Sequence, residues 1–253
     1  MTDERLPRPT LLRVEDLHVG YGKAEVVHGA SFTVGEGEFV VMLGRNGAGK
    51  STILSASSGL IPSRGGRVTL GGRDLSQASA RARVQAGIVH VLEGHRVFTS
   101  LSVEDNLLVG TYARSPRGER GKLGAIYDMF PELAERRHLQ ASRLSGGQQQ
   151  ILAVAQGIIA EPRLLILDEP SSGLSPILVD RILAVANALC GSGIAVLLVE
   201  QLVEKALRYA HYGYLIETGR VVGEGTPSAL REGSLLERVY LGSDHRTDDI
   251  ASS

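Results

Sequence analysis

The octapeptide Gly44-Arg45-Asn46-Gly47-Ala48-Gly49-Lys50-Ser51 comes directly after the apolar run Phe39-Val40-Val41-Met42-Leu43, and this junction constrains the chain more than any other stretch. Its spacing is G-x-x-x-x-G-K-[ST]. An apolar strand delivers the chain to a turn whose three glycines let successive N–H groups converge on phosphate oxygens. Lys50 adds a point charge, and the Ser51 hydroxyl is suited to ligating Mg²⁺. A helix opening at Lys50 aims its positive dipole end at the same anion. The expectation is a strand, a phosphate cradle and a helix, with Gly44, Asn46, Gly47, Ala48, Gly49, Lys50, Ser51 and Thr52 around the phosphates.

With 253 residues, 43% hydrophobic and 22% charged, the chain has enough apolar material for one α/β core with a subdomain inserted in it. A formal net charge of -1 gives no global attraction for nucleic acid, so none is expected as a partner. The single cysteine, Cys190, cannot form an internal disulfide; its apolar neighbours point to a small buried thiol and a reducing compartment. No run approaches the roughly 18 apolar residues of a spanning helix, and the N-terminus lacks the apolar core of a secretory signal.

Residues 14–19 and 31–34 read as short strands on either side of Gly20-Tyr21-Gly22, and residues 67–70 and 88–92 as two more. From about residue 103 to residue 160 the apolar period turns helical, as in an inserted subdomain. Strand signals return at 164–167 and 194–199, with helices expected over about 176–190 and 201–210. Near-continuous apolar strands alternating with helices imply a parallel sheet covered on both faces. The polar stretch 243–253 carries no periodicity and is expected to fray.

The run Leu164-Leu165-Ile166-Leu167 ends in Asp168-Glu169, a strand that delivers two carboxylates. Beside a phosphate cradle, Asp168 is placed to hold Mg²⁺ and Glu169 to polarise a water for in-line attack on a γ-phosphate. Between the two motifs lies Leu144-Ser145-Gly146-Gly147-Gln148, opening a helix. Ser145 and the following glycine amides form a second anion nest at a helix N-terminus. This combination resembles the signature motif and both Walker-type motifs of ATP-binding-cassette (ABC) ATPases, over about residues 11–242.

The resemblance implies an α/β P-loop NTPase fold: a RecA-like core (about 11–94 and 160–242), an antiparallel β subdomain and an inserted helical subdomain (about 95–159). It also implies ATP and Mg²⁺ as ligands and a head-to-tail pairing with a second ABC ATPase subunit, identical or a sibling. In that pairing Ser145, Gly146, Gly147 and Gln148 serve the γ-phosphate held by the opposite subunit. Tyr21 matches the aromatic that stacks on adenine, with a core tyrosine as the alternative. The loop Ser171-Ser172-Gly173-Leu174-Ser175 matches the one that touches the partner subunit.

Three departures from the general pattern matter. Glu93 stands where most relatives have glutamine, Gln201 where a switch histidine is usual, and Gln156 where many have arginine. Gln201 can donate an amide hydrogen bond to a γ-phosphate but carries no titrating charge. Glu93 is placed to contact Mg²⁺ or the attacking water. Glu93 and Gln201, with Gly173-Leu174-Ser175-Pro176 and Tyr240-Leu241-Gly242, are similar to the LivF-type ATP-binding subunits of branched-chain amino acid importers. The resemblance implies catalytic roles for Lys50, Glu169 and Gln201, and Mg²⁺ ligands in Ser51, Asp168 and Glu93. Its partners are integral membrane permease subunits and, indirectly, a solute-binding protein. The chain is then expected in the cytoplasm, held peripherally at the inner face of the plasma membrane.

The region of Glu93 to Leu101 is the expected surface for permease helices, with Phe98 either an anchor for one or a buried aromatic. Importers of urea or short amides have closely similar ATPases and stay open as alternatives. A soluble, non-transport ABC ATPase is disfavoured, since about a hundred residues between cradle and paired acids leave no room for a long coiled coil. A GTPase is disfavoured by the lack of an Asn-Lys-x-Asp motif.

Overall fold

The computed structural model describes residues 5–94, 96–112 and 120–241. His95, Gly242 and the stretch 243–253, for which fraying is expected, lie outside the described residues. The chain opens with β1 (Thr10–Tyr21), β2 (Ala24–Gly35), β3 (Phe39–Leu43), α1 (Lys50–Ser57), β4 (Gly65–Leu70), β5 (Arg73–Asp74), α2 (Ala80–Ala86) and β6 (Ile88–Val91). A helical stretch follows: α3 (Val103–Tyr112), α4 (Leu123–Met129), α5 (Pro131–Glu135) and α6 (Gly146–Ile159). Then come β7 (Leu164–Asp168), α7 (Pro176–Gly191), β8 (Ala195–Val199) and α8 (Val203–Tyr209). The last described elements are β9 (Tyr212–Glu217), β10 (Arg220–Gly225), α9 (Pro227–Glu232) and α10 (Ser234–Leu241).

These strands form two sheets. An antiparallel one runs β2-β1-β4-β5, and a six-stranded one runs β10-β9-β3-β8-β7-β6. In the second, β9, β3, β8, β7 and β6 are mutually parallel and only β10 reverses. The strands expected at 14–19 and 31–34 are longer, because Gly20-Tyr21-Gly22 does not interrupt them. It ends a β1–β2 hairpin in which Tyr21 pairs with Ala24.

Every residue of β3, β7 and β8 is buried, as a sheet covered on both sides requires. Alternation divides them between two cores. Phe39, Val41, Leu43, Leu165, Leu167, Val196 and Leu198 face the helices α6 and α7. Val40, Met42, Leu164, Ile166, Ala195, Leu197 and Val199 face α1 and the antiparallel sheet. Truncating any of the Leu, Ile, Met or Phe side chains among these to alanine costs ~2–5 kcal/mol through lost burial and the cavity left behind.

Helix α1 illustrates how the fold serves its site. Its N-cap is Gly49, at φ +97° and with no capping side chain, so the first-turn amides are left for an anion. Its far end is closed by Arg83 of α2. This guanidinium is only 3% exposed and donates to the carbonyls of Ala56 at 2.7 Å and Ser57 at 2.8 Å. It also reaches the carbonyls of Ser76 and Ala78. A cation at the negative end of the helix complements its dipole. The expected buried thiol is present: Cys190 donates to the Ala186 carbonyl, and burial pushes its pKa up to about 12. No helix among the described residues is long and apolar enough to cross a membrane.

Candidate active site

Parallel strands all point their C-terminal ends at one edge of the sheet, the edge at which ligands bind in open α/β folds. Here β3 releases the loop 44–49, β6 leads to Glu93, β7 ends in Asp168 and Glu169, and β8 leads to Glu200 and Gln201. Register keeps these exits level, since Val199 pairs with both Met42 and Asp168. Residues as far apart in the chain as Val26 and Gln201 are thereby brought to one cleft of about 420 Å³. Asn46, Gly47, Gly49, Lys50, Ser51, Thr52, Glu93, Glu169 and Gln201 line it, with Val26 as an apolar wall.

Within this cleft Lys50 is buried and its Nζ donates to the carbonyls of Gly44 at 2.8 Å and Arg45 at 3.0 Å. Burial lowers its pKa, while the carboxylates of Glu169, Asp168 and Glu200 pull it back up. The Ser51 hydroxyl donates to Asp168 Oδ1 at 3.0 Å. Burial pushes Asp168 up to about 6; the Ser51 bond and Lys50 lower it, and Glu169 and Glu93 raise it. A desolvated carboxylate touching a hydroxyl, beside two more acids and one cation, is short of positive charge. That donor set of hard oxygens fits Mg²⁺.

Glu169 adopts the left-handed region at φ +45°, which is uncommon for a residue with a side chain. Its N–H donates to the Val199 carbonyl at 3.0 Å, tying the turn to β8. Its Oε2 accepts from Gln201 Nε2 at 2.5 Å, so the two residues face one another across the cleft mouth. Behind them the Glu200 carboxylate, fully buried, holds the backbone of Ser171 and of Gln201. Nothing in the sequence reading gave Glu200 a role; an acid after a strand reads as a solvated end.

Residues 145–148, expected to form a second anion nest, stand apart from the cleft. Ser145 caps α6: its Oγ accepts from Gln148 N–H at 3.3 Å, and Gln148 Oε1 accepts from Ser145 N–H at 3.0 Å. Ser145 and Gly146 are exposed, and none of residues 145–148 lines the cleft. A Cβ on Gly147 would lie 2.7 Å from Leu178 and 3.5 Å from Leu174, so the nest is packed against the start of α7 and the loop that follows Glu169. Tyr21 is likewise outside the cleft lining, 56% exposed at the hairpin end.

A second, mostly apolar groove of about 310 Å³ opens between β6 and the helices α3 and α6, lined among others by Val89, Val91, Leu92, Phe98 and Gln156. Phe98 is 53% exposed at its lip. Gln156 donates from Nε2 to the Asn106 carbonyl at 2.9 Å and to Asn106 Oδ1 at 3.1 Å. That same Oδ1 accepts from Phe98 N–H at 2.8 Å. Where an arginine would bring charge, a glutamine here closes a neutral network.

A phosphate loop at the head of a parallel sheet, with paired acids at the end of the next strand but one, defines a P-loop NTPase. Comparison with known proteins takes this further. The chain belongs to the ABC transporter family, whose model matches residues 27–172. It is 36% identical over 232 residues to the high-affinity branched-chain amino acid transport ATP-binding protein BraG of Pseudomonas aeruginosa, covering 92% of this chain and 100% of that one. It is 33% identical to the probable branched-chain amino acid transport protein LivF of Archaeoglobus fulgidus, over 92% and 99% of the two chains. It is 32% identical to the lipopolysaccharide export ATP-binding protein LptB of Escherichia coli, over 93% and 98%. Among solved structures, a nucleotide-free cassette from an ABC transporter superposes with a TM-score of 0.82 at 23% identity, over 92% and 99%. A dimeric cassette bound to ADP and Pi superposes with a TM-score of 0.76 at 21% identity, over 86% and 99%. This chain is accordingly the ATP-hydrolysing, nucleotide-binding subunit of a transporter.

Proposed function

We propose that this ATPase drives import of branched-chain amino acids, through membrane permease subunits that carry the solute while the chain itself never touches it. Support comes from the BraG and LivF likenesses, at 36% and 33% identity. The second reading, export, has the LptB likeness at 32% in its favour. Glu93 and Gln201 favour the importer reading.

The observation that carries the site assignment is the convergence of Lys50, Ser51, Glu169 and Gln201 on one cleft, with Asp168 bonded to Ser51 beneath it. The loop amides and Lys50 hold the β- and γ-phosphates, Lys50 through the N–H that its bonds to Gly44 and Arg45 leave over. Ser51 and Asp168, with Glu93 at the rim, would hold Mg²⁺, which when bound offsets phosphate charge. Glu169 accepts a proton from the attacking water as its oxygen bonds to the γ-phosphorus and the bond to the bridging oxygen breaks, releasing ADP. Gln201 turns from Glu169 to donate to the γ-phosphate. Tyr21 stacks on adenine from the exposed hairpin end.

Because the nest at Ser145, Gly146, Gly147 and Gln148 lies outside the chain's own cleft, it serves the γ-phosphate of a second ATPase subunit. ATP is then a contact shared by two protomers, and hydrolysis removes it. The groove beside Phe98 receives a cytoplasmic helix of the permease, which keeps the chain at the inner face of the membrane.

Glu169→Gln is expected to bind ATP, lose turnover by at least a hundredfold and accumulate as a dimer in size-exclusion chromatography. Full turnover in that variant would refute Glu169 as the base. Deleting the gene is expected to abolish uptake of labelled leucine; undiminished uptake would sink the solute assignment.

A further inference from the structure

Gly44 opens the phosphate loop, and a residue 196 positions away holds it. Its N–H donates to the Tyr240 hydroxyl at 2.8 Å. Its carbonyl accepts from Lys50 at 2.8 Å and lies 3.4 Å from that same hydroxyl as a second donor. Tyr240 sits on α10, with its ring packed against the larger core. On the other side, a Cβ on Gly44 would lie 2.2 Å from the Ile216 carbonyl of β9, so the loop is wedged between β9 and α10. The Tyr240 hydroxyl is desolvated, which raises its pKa and keeps its proton at neutral pH. It can therefore accept and donate at once.

Lys50 Nζ has three N–H donors, and two of them go to the carbonyls of Gly44 and Arg45. A turn of Lys50 toward a nucleotide that lengthens its bond to Gly44 leaves that buried carbonyl to its second donor. The Tyr240 hydroxyl is the other donor that reaches this carbonyl.

We infer that Tyr240 is a positioning residue of the nucleotide site: its hydroxyl holds the Gly44 N–H and backs the Gly44 carbonyl as a second donor, so that the loop keeps its shape while Lys50 engages the triphosphate. The inference rests on reading residues 44–51 as the phosphate cradle. Helix α10 is thereby part of the machinery that sets ATP affinity, although it contributes nothing to the cleft lining.

The test is Tyr240→Phe in the full chain, which keeps the ring and deletes the hydroxyl, with Lys50→Ala alongside. ATP affinity by titration with a fluorescent analogue is expected to fall about threefold to tenfold in Tyr240→Phe. The Gly44 amide is expected to exchange with solvent faster, and the rise in Tm on adding ATP to shrink. A structural role alone would lower Tm equally with and without ATP and leave affinity unchanged, which overturns the inference. If Lys50→Ala loses ATP binding while Tyr240→Phe binds like the parent, the Tyr240 role fails and the cradle stands. If both bind like the parent, the cradle reading fails and this inference with it.

Discussion

The Glu200 carboxylate, with no exposure to solvent, accepts from Ser171 twice: from its Oγ at 2.7 Å and from its N–H at 3.1 Å. One oxygen of that carboxylate also takes the Gln201 N–H at 3.0 Å. The loop after Glu169 and the residue facing Glu169 are thus fastened to the same buried acid. A movement of either is felt by the other through one side chain.

Glu200→Ala is expected to destabilise the protein by ~3 kcal/mol, because the backbone amides of Ser171, Gln201 and Leu202 and the Ser171 hydroxyl lose a buried acceptor. Urea unfolding measures this. A change under ~0.5 kcal/mol would mean that the amides find other partners.

Lys50→Ala removes a charge-assisted contact to the phosphates, and ATP affinity is expected to drop about 10- to 100-fold with the fold intact. Nucleotide titration, with circular dichroism as the control for folding, checks both halves. Unaltered affinity counts against the cradle.

Gln201→His introduces an imidazole with an ordinary pKa near 6.5 beside Glu169. Its protonated form supplies positive charge to the γ-phosphate, so the ratio of variant to parent turnover is expected to fall as pH rises from about 6 to about 8. A ratio that stays level across this range removes charge from the account of this position.

His90 lends a pH dependence to stability. Burial lowers its pKa from 6.5 to about 4, its Nδ1 meets Ser58 Oγ at 2.9 Å, and its buried Nε2 has no hydrogen-bond partner among the described residues. The folded state takes up this proton less readily than the unfolded chain. The contribution is fully present above pH ~6.5 and is lost progressively as pH falls toward ~4, a loss on the order of 3 kcal/mol. Unfolding curves at several pH values, compared with His90→Gln, isolate the effect. Parallel pH profiles for the two proteins would assign the acid sensitivity elsewhere.

What could be read from the chain alone was whatever sits beside an apolar strand. Lys50, Ser51, Asp168 and Glu169 follow runs of four or five buried residues, so their place at the sheet edge comes directly from the pattern. The residues that stayed silent act across distance in the sequence. Tyr240 reaches Gly44 from another helix, and Arg83, which looks like surface charge on a short amphipathic stretch, caps α1. The strands β9 and β10 were not anticipated either. In β10 burial alternates between exposed and half-buried, but the residues Arg220-Val221-Val222-Gly223-Glu224-Gly225 carry no matching alternation of apolar and polar side chains. Tyr21 shows the converse: its exposure is visible in the fold, while a stacking role depends on a ligand.

The lone thiol has a practical corollary. Because Cys190 is enclosed and holds its proton to about pH 12, maleimides and other thiolate-seeking reagents will pass it by. A cysteine introduced on the outside, for instance by Ile177→Cys at the exposed start of α7, will be the only one to take a dye or spin label. The native chain is ready-made for spectroscopic rulers that time the approach and parting of two protomers.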